Sequence, residues 1–299
     1  MIPVVDYSTH PAYGATLPRP TLTERARSLW TIAPHVVRAT ADRVMRSRRP
    51  GASLLAQDGI TTFQCDAPWV AQFREQIEAT VGPLGELAKP GLPMVNLPLL
   101  PEAHVGLFDS LRAELSRVGV LDTAAAYLGR EVSVKTVLLK VTDAASSFRR
   151  DIFGDIGIPD PPAKYMHVDS SAPRSVVKLL IYLSDVGDAQ GPFTYVRGSH
   201  LYQDTWIRSI ARRAVHKAKT LQEWDPASRR RFYALPRGLQ HKAEFGNDIL
   251  DASEVDRLVE HEEAFCGPSG TLVLFDNSGV HRGGLVRQGQ RSAIQVTLR

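Results

Sequence analysis

Hydrophobic positions change their spacing part-way along the chain. From Thr21 to Arg49 they recur at helical intervals: Leu22, Ala26, Leu29, Trp30, Val36, Val37 and Val44, with a break expected at Pro34. The pattern predicts a helix over Asp66–Thr80, with Pro68 in its first turn and Gly82-Pro83 at its end. A proline-rich passage follows from Pro90 to Pro101, then helices over about 105–118 and 120–128, the second stopped by Gly129. Beyond that point the apolar runs become short and β-branched. Glu131–Val141, Ser175–Leu183, Phe193–Val196, Thr271–Phe275 and Ser292–Leu298 read as strands. Short strands punctuated by Gly and Pro predict an antiparallel barrel or jelly roll with flanking helices, mainly β.

Two stretches stand apart. Residues 1–20 hold four prolines and little periodicity, and read as an extended arm. The charged stretch 201–263 interrupts the strands as a helical insertion, with a final helix expected over Ser253–Ala264. The organisation read here is an arm and basic helical segment over 1–50, then a single domain over 51–299.

Composition narrows the classes. The 299 residues are 43% hydrophobic and 23% charged, enough apolar material for a sizeable core. The net charge of +4 does not call for nucleic acid. Two cysteines, Cys65 and Cys266, exclude a disulfide scaffold and a cysteine-rich metal module, and fit a reducing, cytoplasmic setting. No apolar run has the ~18 residues of a membrane helix, and no membrane role is expected. There is no GxxxxGK[ST], GxGxxG or GxSxG motif, so phosphate-loop and serine-hydrolase chemistry lose their usual sequence support.

The chemistry-bearing stretch is Tyr165-Met166-His167-Val168-Asp169. On a strand, His167 and Asp169 point to one face, roughly 6.7 Å apart along it, and can converge on one cation. The pair alone is weak: nine histidines and 32 acidic residues in 299 positions make about one such pair by chance. His261-Glu262-Glu263 is the second, and in a helix its side chains would diverge, so it reads as a decoy. A third ligand is available at His281, and Arg291 follows at the mouth of the last strand. Two histidines and a carboxylate with open positions are the ligand set of non-heme iron(II) oxygenases. On that last strand Arg291, Ala293, Gln295 and Thr297 share one face, a small or polar set that suits a hollow interior.

In this order the residues resemble the phytanoyl-CoA dioxygenase family of iron(II)/2-oxoglutarate oxygenases. The resemblance rests on His167-Val168-Asp169; Tyr182-Leu183-Ser184-Asp185-Val186 leading to Gly191-Pro192-Phe193; Val196-Arg197-Gly198-Ser199-His200; and His281 with Arg291. Asp58-Gly59-Ile60 looks like the family's opening strand, and Arg197 stands where the family usually has proline. The resemblance implies a double-stranded β-helix (jelly roll, cupin-like) core. It also implies iron(II) on His167, Asp169 and His281, 2-oxoglutarate paired through Arg291, and dioxygen as oxidant. Asp169 is a carboxylate where halogenases of this type have Ala or Gly, so the implied reaction is hydroxylation. Desaturation, cyclisation and epimerisation at the same centre stay open.

Further co-substrate contacts are expected from two strand faces, Thr136, Leu138 and Lys140 on one, and Lys178, Leu180 and Tyr182 on the other. Thr136, Lys140 and Lys178 are the candidates. Arg282 and Arg287 are secondary candidates for the carboxylate partner, and His200 reads as structural. The basic, aromatic stretch 201–237 reads either as a lid for an anionic or carrier-bound small molecule or as an amphipathic helix packed inward. Two other readings stay open: a non-catalytic jelly-roll binding module, and zinc in the same pocket.

Overall fold

The structure, a computed structural model, describes residues 21–46, 54–88, 95–144, 169, 176–201, 234 and 260–299. Helix α1 (Leu22–Arg46) opens on a capping box, in which the Glu24 carboxylate accepts from the Thr21 N–H at 2.8 Å and Thr21 Oγ1 accepts from the Glu24 N–H at 3.2 Å. The expected break at Pro34 does not occur. Proline removes one intrahelical donor, but this helix is largely exposed and water can satisfy the freed carbonyl.

A short helix α2 (Leu54–Asp58) leads through Gly59 into β1 (Ile60–Gln64). Helix α3 (Ala67–Val81) starts after Asp66 with proline in its first turn and ends at Gly82, whose φ of +89° suits glycine. Asp66 does not cap it; its carboxylate lies 3.0 Å from Arg117. After strand β2 (Val95–Leu99) come α4 (Val105–Arg117) and α5 (Val120–Leu128), then β3 (Val134–Asp143), β4 (Val177–Tyr182) and β5 (Phe193–Val196). The chain closes with β6 (Glu262–Phe265), β7 (Thr271–Asp276), β8 (His281–Gly283) and β9 (Gln290–Leu298).

Among the described residues these strands make two antiparallel sheets, one ordered β1-β7-β4-β9-β3-β2 and one ordered β6-β5-β8. The larger sheet has two unlike faces. One carries Val137, Leu139, Val141, Leu179, Ile181, Leu272, Leu274, Ile294 and Val296, and packs against Phe73, Ile77, Phe108, Leu111 and Leu115 of the helices. The other turns toward the smaller sheet, where Phe193 meets Phe275 at a ring separation of 4.5 Å and Tyr182, Tyr195 and Phe265 complete an aromatic seam. The order of layers is helices, large sheet, small sheet.

Three strands depart from expectation. Strand β6 lies where a helix is expected to end. Its alternation is legible only in the fold: Glu262 pairs with Arg282 and Glu263 with Arg197. Strand β2 sits inside the proline-rich passage, and Pro98 is tolerated because β2 is an edge strand. Strand β8 is three residues long and gives no periodic signal. Of the stretch 201–263, only Leu201, Ala234 and the residues from 260 lie among those described, and the arm 1–20 lies outside them. Among the described residues no helix is long and apolar enough to cross a membrane.

Candidate metal centre

Strand register sets the interior wall. Cα partners on antiparallel strands share a face. Lys178 on β4 pairs with Thr297 on β9, which pairs with Thr136 on β3; Leu180, Gln295 and Leu138 form the next row; Tyr182, Ala293 and Lys140 the third; Arg291 and Thr142 the fourth. The residues expected on three separate strand faces thus form one continuous face, opposite the helix-packed one. It is a polar wall lying beside an aromatic seam.

His281 begins β8, opposite Tyr195 of β5. The imidazole is buried, 4.9 Å from the Phe275 ring and 5.6 Å from the Phe193 ring. A turn delivers it there. Asp276 ends β7 and is fully buried; its Oδ1 accepts from Ser278 N–H at 2.8 Å and from the Ser278 hydroxyl at 2.7 Å. Its Oδ2 accepts from the Tyr127 hydroxyl at 2.5 Å, tying the turn to α5. Gly279 is required because a Cβ there would overlap the Tyr195 ring. Val280 N–H then donates to Ser199 Oγ at 2.7 Å. Asp276, Tyr127 and Ser278 carry no site signal in the sequence, since the contact that matters spans 149 positions.

Asp169 is held by the same turn, its N–H donating to the Asn277 carbonyl at 2.9 Å. Its Oδ2 lies 3.1 Å from His281 Nε2 and 2.5 Å from the Lys178 ammonium. His281 Nδ1 lies 2.8 Å from the Gly279 carbonyl, a contact in which only the ring can donate. In a neutral ring that leaves the lone pair on Nε2, and in a protonated ring Nε2–H donates to the Asp169 carboxylate. A ring nitrogen and a carboxylate oxygen at this separation are groups that can hold a divalent cation. Lys178 supplies one positive charge to the carboxylate. His167 lies outside the described residues. Among the described residues no three His, Cys, Asp or Glu side chains cluster as a complete metal site.

Arg291 lies further along the wall. Its Nη1 donates to the Gly284 carbonyl at 3.2 Å, and its guanidinium stands beside Gly283, two residues past His281. Loss of hydration pushes its pKa down, opposed by the nearby Tyr182 hydroxyl. No carboxylate among the described residues lies within ion-pair distance. The paired row residue, Thr142, has a buried Oγ1 without a hydrogen-bond partner among the described residues, and so does Asn277 at Oδ1. A partly buried guanidinium in one strand row with an unsatisfied hydroxyl can hold an anion between them.

The remaining candidates separate. Arg282 is a tight ion-pair partner of Glu262, with Nε 2.5 Å from Oε1, and Thr194 bonds the same carboxylate. Its guanidinium is engaged there, on the opposite side of β8 from His281. Arg287 is exposed. Thr136 is exposed at the rim and bonds Thr297 Oγ1 at 2.8 Å; Lys140 is half-buried between Ala293 and Asn96. Contacts bring together Asp169, Lys178 and His281; Thr136 shares the Lys178 row two strands away, and Lys140 and Arg291 lie at other levels of the wall. His200 is fully buried with Nε2 3.1 Å from the Ala56 carbonyl, a structural role. Arg197, in the family's proline position, joins Asp58 at 2.9 Å and Glu263.

No protein-family model matches the sequence, and no curated protein matches it. Solved structures do resemble its path. The chain is similar to the non-heme alpha ketoglutarate dependent carbocyclase SnoK from nogalamycin biosynthesis, with a TM-score of 0.49 and 15% identity over 82% of this chain and 81% of that one. It is similar to EctD from S. alaskensis, solved with 2-oxoglutarate and 5-hydroxyectoine, with a TM-score of 0.49 and 14% identity over 82% and 73%. HygX from Streptomyces hygroscopicus, solved with nickel and 2-oxoglutarate bound, gives a TM-score of 0.47 and 16% identity over 82% and 83%.

Proposed function

We propose that the protein is an iron(II)/2-oxoglutarate-dependent oxygenase that hydroxylates a small organic molecule, its two sheets being the walls of a double-stranded β-helix. The observation that carries this is the facing pair of Asp169 Oδ2 and His281 Nε2 at 3.1 Å, with the desolvated Arg291 on the same interior wall. His167, two residues before Asp169 in the chain, is the proposed third ligand.

The residues present fit the metal and the co-substrate. His281 offers a lone pair in a fixed tautomer, and Asp169 offers an anionic oxygen. Arg291 offers a fork for the distal carboxylate of 2-oxoglutarate, with the Thr142 hydroxyl in the paired position to share it. When bound, iron(II) supplies dioxygen reduction coupled to decarboxylation of 2-oxoglutarate to succinate, and the oxidising power for the substrate. The protein's part is geometry and dryness. The Gly279 carbonyl holds the imidazole, the Asn277 carbonyl holds Asp169, and Phe193, Tyr195 and Phe275 keep water from the back of His281.

The test is succinate formation from 2-oxoglutarate, with and without added iron(II), in air and under argon. Iron- and oxygen-dependent succinate, abolished in His281→Ala, is expected even without the primary substrate, as slow uncoupled turnover. No succinate under any condition, from folded protein, contradicts the reading and favours a binding module. Product analysis in a substrate screen then separates hydroxylation from desaturation, cyclisation and epimerisation.

A further inference from the structure

At the Thr297 end of the wall lies an open cavity of about 610 Å³, lined by Arg130, Glu131, Lys135, Val176, Thr297 and Arg299, its four charged residues exposed. That size suits a small-molecule group. Three lining residues are cations and one is an acid. Two features tie the cavity to the metal pair. Thr297 is the register partner of Lys178, whose ammonium touches Asp169. Val176 stands two residues before Lys178, just ahead of β4. The register of β3 slips between Val134 and Thr136, so that Lys135 is an extra residue opposite β9, and such a bulge re-aims a side chain at a rim.

We propose that this rim cavity binds an oxyanion group of the primary substrate, a carboxylate or a phosphate, through Lys135 and Arg299, with the rest of the substrate reaching past Lys178 to the metal pair. The assignment to substrate rests on the metal-centre reading above. The cations at the rim answer a charge that the polar but acid-poor wall does not itself contain, and a charged group held there fixes which end of the substrate enters first.

The test is calorimetric titration of the full-length, metal-free protein at low ionic strength with inorganic pyrophosphate and, separately, with tricarballylate. The expected result is binding of at least one probe. Preference between the two names phosphate or carboxylate. The double variant Lys135→Gln/Arg299→Gln, both positions exposed, should keep its melting temperature and weaken binding about ten-fold or more. The control Arg112→Gln, an exposed position on α4, should leave it within about two-fold. No binding of either probe, unchanged binding in the rim variant, or loss in Arg112→Gln overturns the site. Nickel uptake, measured on the same preparations, keeps the two readings apart: nickel bound without anion binding refutes the rim site alone, and anion binding without nickel uptake refutes its substrate role.

Discussion

Asp169 and His281, 112 positions apart in sequence, face each other at 3.1 Å because one turn holds both: Asn277 accepts the Asp169 N–H and Gly279 accepts the His281 ring N–H. That turn is in turn clamped by Asp276. The site is thus organised from the end of β7 outward, and the variants below follow that hierarchy.

Asp276 should matter to metal binding although it faces away from the site. Asp276→Ala removes acceptors of the Tyr127 hydroxyl and of two Ser278 donors, and should cost about 2–4 kcal/mol of stability. Nickel affinity should fall with it, while Tyr127→Phe, which keeps the Ser278 bonds, should be milder on both counts. Urea unfolding and nickel titration of the two variants check this.

On the proposed ligand set, Lys178 competes with the metal. Its ammonium sits 2.5 Å from the Asp169 oxygen that faces His281, so an incoming divalent ion must displace it. The pair is partly exposed, and its net worth is about 1 kcal/mol. Lys178→Met should therefore tighten nickel binding by roughly three- to ten-fold. Weaker binding would mean that the ammonium assists the site.

The two arginines near His281 should part company. Arg291→Gln should raise the 2-oxoglutarate KM by about 100-fold, since a desolvated carboxylate loses its fork. Arg282→Gln should leave that KM nearly unchanged but destabilise the fold by about 1–3 kcal/mol, because the half-buried Glu262 carboxylate loses its cation and keeps only the Thr194 hydroxyl. Steady-state kinetics and thermal melts of both variants decide.

Acid stability should trace to Glu114. The bidentate hydrogen bonds from Arg117 hold its carboxyl below the ordinary glutamate value of 4.5. A lowered folded-state pKa gives stability that is present above the unfolded value and lost as pH falls through the folded one. The stability gap between the protein and Glu114→Gln should be widest near neutrality and close below pH 4.5. Melting curves across pH 3–7 would show it; a gap that widens in acid contradicts it.

Much of this was legible in the chain. β-Branched runs mark β3, β4, β7 and β9, and period-two alternation puts Arg291 with Ala293, Gln295 and Thr297 on the face the register shows. The candidate ligands Asp169 and His281 stand out by type and order, and the fold places them 3.1 Å apart. What was not legible depends on pairing at long range. Strand β6 begins Glu-Glu, which reads as helix until Arg282 and Arg197 supply their partners. Asp276 in a strand end has no signature without Tyr127. Pro34 reads as a break because sequence does not show that α1 is solvated around it. Cations at Arg130, Lys135 and Arg299 scatter along the sequence and meet only at the rim.

The most direct check is visible absorption of the protein under argon as iron(II) and then 2-oxoglutarate are added. The account predicts a weak charge-transfer band that needs both additions and disappears in Asp169→Ala and in His281→Ala. A band that survives either substitution, or none from folded wild-type protein that binds iron(II), would contradict it.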